Sequence, residues 1–261
     1  MRKLGIRLVL CLAFCSLLTT TAFASLATKL FHNNNWFVGA SLGTARPSID
    51  KSTTVPNGSS QPSPYNVDLY NIDQPGSSNA WSVLFGYRWL RDSLFFPMYS
   101  IALRYQSLHN FTVNGTIEQY SLPNFTNYNY GADVSAQTWT LQAKLDLYKC
   151  RLFAPFLSFG VGKALDKFSG YDESAVSGIT PRVSPAFASE TNTHTTVNAG
   201  FGVDYFLNKQ FTFSLAYEYD DFGTIRSAEA TGNDWYGEKL SFGKLTTDTI
   251  SLGAVYQLPL G

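Results

Sequence analysis

The chain reads as all-β, an eight-stranded antiparallel up-and-down transmembrane β-barrel. Three observations carry this. Apolar residues recur at every second position through eight separate stretches. The connections between those stretches alternate strictly between long and short. The chain also opens on an export leader.

The hairpin from Val197 to Tyr219 shows the repeating unit. Val197, Ala199, Phe201, Val203, Tyr205 and Leu207 share one face, and Asn198, Gly200, Gly202 and Asp204 share the other. After Asn208-Lys209-Gln210, residues Phe211, Phe213, Leu215, Tyr217 and Tyr219 oppose Thr212, Ser214, Ala216, Glu218 and Asp220. Side chains alternate faces along a strand, so each arm has one apolar and one polar side.

The same reading runs through the chain. Strand one is Trp36 to Gly43 and strand two Ala80 to Trp89, where Leu84 breaks the polar face. Strand three carries Tyr99, Ile101, Leu103 and Tyr105, and strand four Trp139, Leu141, Ala143, Leu145 and Leu147. Strand five carries Phe153, Leu157, Phe159 and Val161, with Pro155 near its start, where a missing ladder donor is tolerated. The hairpin above supplies strands six and seven, and strand eight carries Ile250, Leu252, Ala254, Tyr256 and Leu258. Long loops are expected at about 44–79, 108–133, 165–194 and 221–246, all rich in Asn, Ser, Thr, Pro or Tyr. Each strand offers roughly 9–11 residues, enough for a tilted strand to cross the hydrocarbon. Closure follows, because an open edge would leave unpaired backbone groups in lipid.

A soluble lipocalin-like barrel would show the same alternation turned inside out. The loop asymmetry, the glycines on the polar face and the Trp and Tyr residues near strand ends favour the membrane.

Arg2, Lys3 and Arg7 precede the apolar run Leu8 to Leu18, and Ala22-Phe23-Ala24 is a small-residue cleavage site. Residues 1–24 are therefore expected to be removed between Ala24 and Ser25, leaving a barrel domain over 25–261. Cys11 and Cys15 leave with the leader, and Cys150 alone cannot form an internal disulfide. The whole chain has 19 Lys+Arg and 19 Asp+Glu, and the leader removes basic residues only. The exported part is thus slightly acidic and has no footprint for nucleic acid.

The polar face carries Arg88, Arg104, Lys144, Asp146, Asp204, Glu218 and Asp220. An eight-stranded barrel is only just wide enough for its own side chains, so charges inside it must pair. Counting depth from the turns puts Arg104 with Glu218, with Asp220 above. It puts Arg88 or Lys144 with Asp204, with Asp146 beneath. This set is expected to form an interior polar network that holds the barrel together.

The whole exported chain resembles the small outer-membrane β-barrel proteins of Gram-negative bacteria, the OmpA/OmpX/OmpW-like group without a periplasmic domain. The segments Ala102 to Gln106, Ile117 to Pro123 and Thr180 to Phe187 are similar to outer-membrane barrels of gammaproteobacteria. The resemblance implies the bacterial outer membrane, with the four long loops extracellular and the short turns periplasmic. It also implies that the insertion machinery reads the last strand, although Tyr256-Gln257-Leu258 has Leu where the family usually ends in Phe.

No catalytic constellation stands out. The resemblance invites comparing His109 with the His-x-Ser of outer-membrane lipid A deacylases, but Asn110-Phe111 follows, and His194-Thr195-Thr196 is a poor substitute. No cofactor or metal is expected, and Asp220-Asp221 reads as ordinary loop charge. Four Asn-x-Ser/Thr matches, at Asn57, Asn110, Asn114 and Asn124, follow from loop composition. The expected role is structural or surface-interactive, not enzymatic. The expected partners are outer-membrane lipid, lipopolysaccharide and a surface partner at the loops. A narrow channel for small, apolar solutes and a lipid A-modifying enzyme are the alternatives.

Overall fold

The structure is a computed structural model and describes residues 35–91 and 93–258. Residues 1–34, 92 and 259–261 lie outside that range, and the cleavage site expected between Ala24 and Ser25 falls among them. Eight long strands form the wall: β1 (Asn35–Ser48), β4 (Ser78–Leu90), β5 (Phe95–Glu118), β6 (Thr126–Tyr148), β7 (Phe153–Ala175), β8 (Glu190–Phe206), β9 (Phe211–Arg226) and β10 (Ser241–Gln257). Each pairs antiparallel with the next, and β1 pairs with β10, which closes the ring. Between β1 and β4 the chain adds a hairpin, β2 (Ser52–Pro56) and β3 (Val67–Ile72), whose second arm extends the sheet from the tip of β5.

Around the waist the apolar face points outward. Leu42, Leu103, Leu141, Phe159, Phe201, Leu215 and Leu252 are all largely exposed there. Only a hydrocarbon surrounding removes the cost of such a belt. Rings flank it on both sides. At the short-turn end Trp36 stacks on Phe85 at 5.1 Å, and Trp89 on Tyr99 at 5.2 Å. At the other rim Tyr105 sits between Trp81 and Trp139. Glycines opposite the belt leave room for large interior side chains: a Cβ on Gly200 would lie 2.7 Å from Cγ of Glu218.

The long connections differ from the expectation. Much of 108–133, 165–194 and 221–246 is strand, and β5, β6 and β7 run to 24, 23 and 23 residues. The segment 44–79 holds the β2–β3 hairpin. The reason is a change of solvent partway along each strand. On β6, Trp139, Leu141 and Leu145 point out and Thr138, Thr140 and Gln142 point in. Further on, Val134, Ala132, Tyr130 and Tyr128 point in, while Ser135, Asp133 and Asn129 point out. On β6 the side-chain direction never changes and only the polarity of each side does; on β5 and β7 a bulge, between Leu108 and Phe111 and between Ser169 and Asp172, shifts the alternation by one residue. The distal half is therefore an ordinary water-facing β-structure with an apolar core of Tyr70, Leu108, Val113, Ile117, Phe168, Phe222, Phe242 and their neighbours.

Candidate functional site

The lumen of the belt is filled by polar side chains from facing strands. Arg104 on β5 donates to both carboxylate oxygens of Glu218 on β9, Nη1 to Oε1 at 3.0 Å and Nη2 to Oε2 at 2.6 Å. Gln142 on β6 gives the same Oε1 a further bond at 3.0 Å. The pair is 4% and 7% exposed, so its attraction is little screened. Just above, Gln106 Nε2 donates to Asp220 at 3.4 Å.

Nearer the short turns, Lys144 on β6 reaches both oxygens of Asp204 on β8 at 2.7 Å, and Ser214 donates to one of them. The ammonium also lies 3.7 Å above the Phe156 ring. Of the two cations expected for Asp204, the structure thus uses Lys144. Arg88 sits instead over Phe37, and with the Gln257 amide oriented to satisfy both its neighbours, Nη1 of Arg88 donates to its oxygen at 2.6 Å and its nitrogen donates to the Lys209 carbonyl. Asp146 lies lower still, fully buried, with Oδ2 lacking a hydrogen-bond partner.

Between these pairs is a cavity of about 80 Å³, lined by Ser41, Ser82, Ser100, Ser158, Ser214 and Ser251 together with Leu84, Ala102 and Val255. Met98, Ala154 and Phe206, with Leu90, form a buried apolar cluster on its turn side. The distal apolar core lies beyond it on the other side.

A second cluster lies at the distal end, in the segment Thr180 to Phe187 that the sequence singled out without assigning a role. Arg182 Nε donates to Glu173 at 2.6 Å and Nη1 to Asp68 at 2.7 Å. Its guanidinium lies 4.6 Å from the Tyr128 ring and 4.7 Å from the Trp235 ring. One side chain therefore touches all four long connections: Asp68 in the first, Tyr128 in the second, Glu173 in its own, Trp235 in the fourth. Burial opposes the charge on Arg182, but the bonds and charges of Glu173 and Asp68 outweigh it and raise the pKa. Burial likewise raises the Tyr70 phenol beside this cluster.

Sequence reasoning missed Asp68, Glu173, Arg182 and Trp235, whose partners are far apart in the chain. The one visible signal was Arg182 itself, a lone cation between Pro181 and Pro185. Of the histidines, His109 is exposed at a bulge in β5, and His194 points inward with its ring against Gly223. His32 lies outside the described residues. Among the described residues no cluster of His, Cys, Asp and Glu could hold a metal ion.

The comparisons agree with this geometry. The outer membrane protein beta-barrel domain matches residues 11–257. The chain belongs to that family. This outer-membrane barrel is similar to OprG from Pseudomonas aeruginosa at 17% identity, over 88% of this chain and 99% of that one, with a TM-score of 0.50. It is also similar to Neisserial surface protein A at 12% identity over 85% and 97%, TM-score 0.41. The outer membrane protease OmpT from Escherichia coli matches at 7% identity over 86% and 97%, TM-score 0.44. At such identities the likeness is one of fold. No curated protein sequence matches. The protein is thus an outer-membrane β-barrel of the Gram-negative type, and its particular role rests on its own loops and lumen.

Proposed function

We propose that this barrel is a non-enzymatic structural and surface-interaction protein that carries its partner-facing residues on a rigid distal platform outside the cell. The short turns and both termini then face the periplasm. The observation that supports this reading is Arg182, which ties all four long connections together over an apolar core. Loops held in that way present a fixed surface, at low entropic cost to a partner. Exposed apolar side chains stand at their tips, among them Tyr65, Phe125, Val183 at 76% and Tyr236 at 81% exposure. Contact with outer-membrane lipid comes from the belt, and the insertion machinery would read the last strand at Tyr256 and Gln257.

The narrow-channel alternative finds less support, because the Arg104–Glu218 and Lys144–Asp204 pairs cross the belt lumen and apolar clusters pack beyond it towards each end. Two measurements on the folded protein test the proposal. In planar bilayers it should give no discrete conductance steps. Bacteria displaying it should bind a target surface, and a variant with Tyr65, Phe125, Val183 and Tyr236 all changed to Ser should lose that binding while staying folded. Clear conductance steps together with unchanged binding by the tip variant would overturn it.

A further inference from the structure

The charges on the outer wall, just beyond the aromatic rim, are unevenly placed. On β4, β5 and β6 the first outward positions above the belt are Asn79, Ser107 and Gln137, all neutral. On β1 and β10 the cations face carboxylates, although among the described residues only Lys244 makes an ion pair. Arg46 stands directly opposite Asp248, and Lys244 holds Asp221 at 2.7 Å. On β7 the pattern differs. Lys163 and Lys167 both point outward and are exposed. Their direct neighbours are Trp139 and Ser135 on β6, and Thr195 and Thr191 on β8. Among the described residues neither lysine has a carboxylate within ion-pair distance. The nearest one diagonally, Asp133 opposite Ser169, already accepts from Thr112 Oγ1 at 2.8 Å.

We infer that this face of β7 and β8 binds the phosphates of an outer-leaflet glycolipid, a phosphorylated lipid A, through Lys163 and Lys167. Depth argues for it. Lys163 sits two residues beyond lipid-facing Val161 and directly opposite Trp139 of the aromatic rim, which is the level of the headgroups. The two lysines stand about 13 Å apart along the backbone of the strand. Between and beside them Thr191, Thr193 and Thr195 present exposed hydroxyls that can donate to phosphate oxygens, and Lys163 Nζ already rests on Thr195 Oγ1 at 3.2 Å. Below, Val161, Val197 and Trp139 offer an apolar wall to acyl chains. Two uncompensated cations beside a membrane surface call for anions from the membrane. The inference rests on the placement of the distal half outside the cell but not on what the loop tips bind.

The test uses folded full-length mature protein in detergent micelles and native mass spectrometry, with bisphosphorylated lipid A as the probe. Wild type should retain the lipid. K163Q/K167Q should retain it roughly tenfold less or worse, the change expected for two surface cations at an anionic lipid. K244Q should behave as wild type, because that charge already has a partner. K163R/K167R should keep binding, which guards against a folding defect in the glutamine variant. Equal retention by wild type and K163Q/K167Q would overturn the assignment. So would equal binding of dephosphorylated lipid A, or of phosphatidylglycerol. A micelle has no inside or outside, so failure here speaks to the lysines, whereas protease protection of the distal loops on intact cells would speak to sidedness.

Discussion

Arg104 and Glu218 join strands that are four apart in either direction round the ring, so their bidentate bond spans the full width of the barrel. It acts as a cross-brace, not as a rung between neighbours. Truncating one end strands a buried charge. Glu218→Ala should therefore cost roughly 3–5 kcal/mol in refolding into lipid, while Arg104→Met combined with Glu218→Leu should recover much of the loss. A double-mutant cycle reads the coupling. Additive losses would mean that water already screens the pair.

Leu215 lies on the outer wall between Val203 and Leu252. An arginine there should cost about 2–4 kcal/mol if the site is near the midplane of the hydrocarbon. Thr193, also outward but beyond the rim, should accept arginine within about 0.5 kcal/mol. Equal penalties at the two positions would show that the belt ends elsewhere.

Arg182→Met would leave the buried carboxylates of Asp68 and Glu173 without their cation. We expect the distal half to open more readily, by roughly 3–5 kcal/mol, while the belt melts as before. Amide exchange should rise around 176–189 and in β3 but stay unchanged in the lower parts of β8 and β9. Unchanged protection at 176–189 would mean that the aromatic packing holds the loops without the charge.

Alkali should reach the distal core first. Tyr70 is fully buried there, and burial raises its pKa above the ordinary tyrosine value near 10. Its contribution is complete below that pH and is lost as pH rises towards the folded value, because only the unfolded chain ionises freely. Tyrosinate absorbance should therefore appear together with loss of distal structure, and Tyr70→Phe should move that transition to higher pH.

The belt was legible because lipid imposes one rule on every strand: apolar out, small or polar in. Arg104 and Glu218 could be placed together from face and depth alone, since a narrow lumen leaves a charge few places to go. Arg88 was harder, because its partner is an amide, Gln257, that carries no charge to match. The distal strands were hidden by their reversed polarity. On β6, Tyr128, Tyr130, Ala132 and Val134 alternate with Asn129, Asp133 and Ser135 as any strand would, but on the opposite phase from Trp139 and Leu141; on β5 a bulge at 109–110 turns Val113 and Ile117 inward although they continue the phase of Leu103 and Tyr105. Five prolines, at positions 47, 56, 62, 64 and 75, masked the β2–β3 hairpin. Arg182 and Asp68 are 114 residues apart, and nothing local to either announces the other.

The reversal of polarity along β5, β6 and β7 also gives the molecule a waterline. A uniformly amphipathic barrel could ride up or down in a membrane at modest cost. Here each residue of vertical slip, about 3.3 Å along a strand, moves opposite characters into the wrong medium at both ends. Sinking would bring Lys163, Gln137 and Ser107 into hydrocarbon; rising would lift Trp139 and Tyr105 into water. The protein therefore fits one membrane thickness at one height, and the reach of its distal platform above the lipid is set by the same residues that anchor it.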